Sequence, residues 1–169
     1  MKPKFIAVVL LLHLAGGLAL KLFLFTDTRK VTRTLLSLQN KISAPMDSGG
    51  LDAALYLSGL KPFFTPEINI TINSGALENQ WQFERPDLLR AITAAKQQNP
   101  ALSVSLAFTR KDVTVSGTTA RVDTIVSARH LNEPIEPQRL FIILVRDEDK
   151  QWRVSTVEPP PANPQPQKR

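Results

Sequence analysis

Two side chains in this sequence have the type and position that proton chemistry would need: Asp123 and His130. Both fall in a β-patterned run, Thr119 to His130, whose small apolar face is Ala120, Val122, Val126 and Ala128. Asp123 shares the other face with Arg121, Ser127 and Arg129, so a solvated ion pair is the expected state of its carboxylate. His130 stands at the strand end, where a surface histidine is the ordinary reading and a general base the sharper one. If the protein is an enzyme, these two are its acid–base candidates. The other histidine, His13, sits far away in an apolar stretch, so the pair has no zinc-ligand spacing. The absence of cysteine excludes thiol catalysis, thiolate metal sites, disulfides and a lipid-anchored lipoprotein. The glycines form neither a phosphate loop nor a dinucleotide fingerprint, and there is no Gly-x-Ser-x-Gly elbow. No metal or cofactor is therefore expected.

Charge narrows the partners. The formal net charge is +6, yet it is not spread along the chain. Residues 1–44 carry Lys2, Lys4, Lys21, Arg29, Lys30, Arg33 and Lys41 against Asp27 alone. Residues 45–169 hold fourteen basic and fourteen acidic groups. A neutral domain lacks the phosphate-neutralising field that drives nucleic-acid affinity, so no nucleic-acid partner is expected.

The elements that must position these residues are legible in the hydrophobic pattern. Ala101 to Glu158 reads as four antiparallel strands in series. In the first, Leu102, Val104, Leu106 and Phe108 alternate with Ser103, Ser105, Ala107 and Thr109. Arg110-Lys111-Asp112 interrupts it and Val113-Thr114-Val115 resumes it. Ser116-Gly117-Thr118 is a tight-turn signal. Asn132-Glu133-Pro134 ends the next strand, and Leu140–Val145, apolar on both faces, predicts a central strand covered on both sides. After a charged turn, Asp147–Lys150, the last strand puts Trp152 and Val154 on one face.

Upstream, Thr28–Ser43 predicts a helix with Val31, Leu35, Leu38 and Ile42 in a stripe and Arg29, Lys30, Arg33 and Lys41 opposite. This is the first helix of the domain, a basic helix lying on anionic lipid, or the seam of a coiled-coil dimer. Leu51–Leu60 predicts a short helix with Leu51, Ala54, Leu55 and Ser58 on one face, halted by Pro62. Pro66 opens a strand through Ile72, and Trp81-Gln82-Phe83 forms another. Pro86 starts a helix with a buried stripe of Leu88, Leu89, Ile92 and Ala95, stopped by Asn99-Pro100. The Pro-rich residues 159–169 predict an extended, disordered tail.

Ahead of all this, residues 1–4 are a short tail and Phe5–Phe25 is apolar except for His13, Lys21 and the Gly16-Gly17 pair. About 20 apolar residues suffice to span a bilayer. A cleaved signal peptide is the rival, with a small-residue site at Ala15-Gly16-Gly17 or Gly17-Leu18-Ala19. Retention is favoured, because cleavage would leave Leu22-Phe23-Leu24-Phe25 at a soluble N-terminus. The positive residues after the span favour a cytoplasmic domain. A short N-terminus followed by a first apolar segment favours export. The expectation is a single-pass protein with an extracytoplasmic domain.

The order helix, short helix, strand, helix, long antiparallel strands resembles the nuclear transport factor 2-like superfamily, which includes ketosteroid isomerases and polyketide cyclases. The resemblance covers about residues 30–158 and is carried by Asp52-Ala53-Ala54-Leu55, Arg85-Pro86-Asp87-Leu88-Leu89, Val113 through Val122 and Trp152-Arg153-Val154. It implies an α+β domain over 26–158, a cone-shaped, curved antiparallel sheet wrapped around about three helices, with a pocket at the wide end. Some of Tyr56, Phe64, Trp81, Phe83 and Phe108 are expected to project into that pocket, the alternative being that these rings fill the cone and leave no cavity. The isomerase branch places an Asp base near the end of the first strand, where this chain has Ile72-Asn73-Ser74. The resemblance therefore implies binding or assembly rather than catalysis. Homodimer formation, an envelope protein partner and a small apolar ligand are the expected associations. The alternative is an isomerase- or cyclase-like enzyme or carrier using the pocket.

Overall fold

Residues 26–43 are helical (α1) and deliver the expected stripe. Val31 and Leu35 are fully buried, Leu38 nearly so, and Ile42 packs at the margin of the same cluster. Burying each such side chain contributes about 1.5–3 kcal/mol, which a short amphipathic helix cannot supply from propensity alone. Arg29, Lys30, Arg33 and Lys41 are exposed on the far side. The structure is a computed structural model, and it describes residues 26–46, 50–74, 77–130 and 133–160. The expected span 5–25 and the tail beyond Pro160 lie outside the described residues. Among these, no helix is long and apolar enough to cross a membrane.

The chain continues as α2 (Gly50–Leu60), a 3-10 turn (Lys61–Phe63), β1 (Phe64–Ser74), β2 (Leu77–Glu84), α3 (Arg85–Gln98), β3 (Ser103–Ala107), a second 3-10 turn (Arg110–Asp112), β4 (Val113–Ser116), β5 (Thr119–His130), β6 (Glu133–Arg146) and β7 (Trp152–Glu158). The α2 stripe differs from expectation. Leu60 is fully buried and Tyr56 and Leu57 pack on the core, whereas Leu55 is 61% exposed and Ala54 and Ser58 face solvent. This helix is apolar nearly all round, so periodicity alone does not choose its inner face. On α3, Leu88 and Leu89 are buried as expected, but the stripe continues through Thr93 and Lys96.

The sheet is curved and open, in the order β2-β1-β7-β6-β5-β3, with β4 pairing the same edge of β5 as β3. The expected antiparallel pattern holds except between β1 and β7, which run parallel. Both start from the same end, and the strands and helix between them supply the long crossover that a parallel pair requires. The break between β3 and β4 is the Arg110–Asp112 turn, closed by a reciprocal pair of bonds between Thr109 and Asp112.

Strand β6 starts at Glu133, well before the expected Leu140. Pro134 and Pro137 do not stop it, for two reasons. Its first half extends past β7, which pairs with residues 141–146, and a register shift between Val126 and Ala128 absorbs the mismatch with β5. Proline is tolerated on an edge or at a bulge, where no ladder donor is needed. Nor is the later half covered on both sides: Ile142 and Leu144 are buried, while Phe141, Ile143 and Val145 stay half-buried on the outer face. There the Arg121 guanidinium lies 3.7 Å from the Phe141 ring centroid.

Gly117 closes the β4–β5 turn at φ +60, the left-handed conformation that glycine adopts without strain. At the same end, the buried carboxylate of Asp27 accepts from Arg146 Nη1 at 3.0 Å, fixing the start of α1 against β6. The Arg146 guanidinium lies 5.5 Å from the ring of Trp152, its cross-strand neighbour. Trp152 and Val154 are buried on one face, as the pattern predicts.

Candidate functional site

The pairing register builds one row of apolar side chains across the inner face of the sheet. Trp81 of β2 faces Ile70 of β1, which faces Val157 of β7. Val157 faces Ile142 of β6, Ile142 faces Val122 of β5, and Val122 faces Val113 of β4. Cross-strand neighbours on one face stand close enough to pack as a continuous surface. The helices close this row at one end: Val113, Val122 and Ile142 are 8%, 0% and 6% exposed. The other end is covered only in part, although α3 packs against β1 and β2: Ile70 and Val157 are half-buried and Trp81 is 42% exposed. Phe83 lies beside Trp81 on the same strand face, opposite Ile68, and is half-buried.

The five expected pocket rings therefore divide. Phe64 is a core residue at 5% exposure. Tyr56, Phe83 and Phe108 pack on the core from its margins, and Trp81 stands at the open end of the row. The Tyr56 hydroxyl donates to the Ile42 carbonyl at 3.2 Å, and burial pushes its pKa up. Tyr56 also lines a hollow of about 280 Å3 with Lys41, Met46, Asp52 and Leu55.

Asp123 is on the outer face, away from Tyr56. Its partner is not Arg121 or Arg129 but Arg139 of β6, whose Nε donates to Oδ1 at 2.9 Å while Nη2 reaches Oδ2. This fork, which register rather than local sequence assembles, holds the carboxyl below the usual range, with the Arg121 charge adding to it. Asp123 and Arg139 border a hollow of about 270 Å3 at the β3–β4 break, together with Ala107, Asp112, Thr124 and Ile125. A carboxylate locked to arginine is a poor general base at neutral pH. The backbone of His130 ends β5, and its side chain lies outside the described residues, as do those of Ile72 and Asn73.

Sequence reasoning missed four interior polar groups, of which Thr93 donates to the Leu89 carbonyl at 2.9 Å. Asp27 is paired as above. Thr124, 1% exposed, donates to the Ala107 carbonyl at 3.3 Å across the strand break. Lys96, also 1% exposed, donates through Nζ to the Leu102 carbonyl at 2.6 Å, and burial lowers its pKa. Its spacing from Leu89 and Thr93, four and then three residues, was the available signal. Each group is engaged within the fold. No cluster of three or more metal-ligating side chains occurs among the described residues.

Neither a family model nor a curated protein matches the chain. Solved structures do match in fold. The Kfla4162 protein of Kribbella flavida aligns at TM-score 0.59 and 16% identity over 79% of this chain and 88% of its own. A nuclear transport factor 2-like protein of unknown function from Pseudomonas putida aligns at TM-score 0.57 and 12% identity, over 79% and 84%. A protein of the same type with a cystatin-like fold, from Novosphingobium aromaticivorans, aligns at TM-score 0.56 and 16% identity, over 85% and 86%.

Proposed function

From a chain with the nuclear transport factor 2-like fold, we propose a membrane-anchored binding module that holds an apolar ligand or partner segment at the open end of its inner face. The observation that carries this reading is the apolar row, buried at β4–β6 and partly exposed at Trp81. Large aromatic area with few rotamers to freeze is what such recognition uses. The carboxylate best placed for acid–base work is tied to Arg139 on the other face, which favours binding over turnover. The test is fluorescence titration with the apolar probe anilinonaphthalene sulfonate. Trp81→Ala should weaken probe binding by about tenfold, the equivalent of roughly 1.4 kcal/mol of lost apolar contact. Unchanged binding would sink the proposal.

Anchoring rests on Phe5–Phe25, and we place the domain on the extracytoplasmic side. Carbonate washing should leave the chain in the membrane fraction, and reporter fusions at the C-terminus should be active only outside. The half-buried outer-face row Phe141, Ile143 and Val145, with Ile125 at 47% exposure beside it, suits a second copy or an envelope protein partner. Sedimentation that finds only monomer at tens of micromolar would refute the homodimer, since a Kd of 1 μM corresponds to about 8 kcal/mol.

A further inference from the structure

Between the end of α2 and the start of α3 lies a hollow of about 380 Å3. Leu57, Pro86 and Leu89 form its apolar lining, and Lys61, Arg85 and Arg90 stand around it. Arg85 Nη1 donates to the Phe64 carbonyl at 3.3 Å, and Arg90 pairs with Asp87. Lys61 is exposed and forms no ion pair among the described residues. Three cations around an apolar hollow, with one carboxylate nearby, complement an anion that carries an apolar body.

The position of the hollow narrows the ligand. Phe64 faces Val154, two residues into β7, and Arg153 Nη1 donates to the Pro62 carbonyl at 3.0 Å. The hollow therefore lies at the end of the sheet where β7 begins. The α1 helix enters at the same end, because Arg146, opposite Trp152, holds Asp27. The apolar sequence 5–25 joins the domain there. Glu148 and Asp149 are exposed at this end as well, beside the exposed cations Arg29, Lys30 and Lys150.

We propose that the hollow binds the phosphate of an anionic phospholipid headgroup, with Lys61, Arg85 and Arg90 around the phosphate and Leu57, Pro86 and Leu89 against the glycerol and first methylenes. This rests on the anchoring reading above. Cations beside an anionic bilayer gain affinity additively, and a hollow with an apolar lining adds selectivity for a headgroup over a bare ion.

The test uses the full chain in lipid nanodiscs and follows acetylation of Lys61 by mass spectrometry, with exposed Lys111 as internal reference. Three conditions are compared: phosphatidylcholine, phosphatidylcholine with phosphatidylglycerol, and phosphatidylcholine with millimolar inorganic phosphate. Lys61 should react about fivefold more slowly with phosphatidylglycerol present, Lys111 should not change, and Arg90→Gln should remove most of the protection. Equal Lys61 rates in the two lipids would overturn the proposal, as would protection that survives both Arg90→Gln and Arg85→Gln. Equal protection by inorganic phosphate would make the ligand a soluble phosphate and refute the lipid. A chain that fails to enter any disc refutes anchoring itself, and the headgroup site falls with it; incorporation without Lys61 protection refutes the headgroup site alone.

Discussion

The two ends of the inner apolar row are made of the same kinds of residue and do different work. Val113, Val122 and Ile142 lie under the helices and hold the fold together, whereas Trp81, Ile70 and Val157 are left with unsatisfied apolar surface. The difference is in coverage, not chemistry. A side chain packed on all sides forfeits both transfer energy and contacts when truncated; one open to solvent forfeits less of each.

Truncation at the closed end should therefore have the largest effect on stability. Leu144→Ala, fully buried beside Ile142, should cost about 3 kcal/mol by chemical denaturation in mild detergent, whereas Trp81→Ala should cost about 1 kcal/mol and act on probe binding instead. Equal losses at the two ends would erase the distinction.

The two carboxylate–arginine pairs sharpen it next. Asp27 is buried and Asp123 is on the open outer face. Asp27→Ala removes the buried carboxylate that Arg146 donates to and should cost about 2–3 kcal/mol, with much of that recovered by Asp27→Leu with Arg146→Leu. If Asp27→Ala proves neutral, the pair does not fix α1.

Lys96 gives a smaller, pH-dependent effect. Its folded pKa is lowered by burial, so the unfolded chain binds the proton more tightly and stability rises with pH between the folded value and the unfolded value of about 10.4. Lys96→Met should flatten that rise and change stability by about 1 kcal/mol at neutral pH. A wild-type chain equally stable at neutral pH and pH 10 would refute this.

Asp123→Asn should have the smallest effect, below about 1 kcal/mol, because the pair is solvent-screened. Its carboxyl is lowered by Arg139, so what stability the pair provides is present above the unfolded carboxylate value and lost as acidification passes the folded one. Unfolding midpoints of the variant and parent should converge in acid. A large loss at neutral pH would show that the outer face is structurally essential.

Much of this architecture could be read from the chain alone. Spacing fixed α1 and its stripe, Pro86 and Asn99-Pro100 bounded α3, and Gly117 marked the turn it makes. These are local effects, set by backbone freedom and by side chains a few residues apart. Periodicity did not settle the inner face of α2, apolar nearly all round, or the continuation of β6 through two prolines on an uncovered edge. The partner of Asp123, the parallel β1–β7 pair and the row from Trp81 to Val113 depend on register between strands far apart in sequence. What the sequence by itself determined is the set of elements and the faces they offer. Tertiary structure alone decided which faces meet, which lysine is enclosed, and that coverage stops at Trp81, because burial is a property of neighbours that local sequence does not specify.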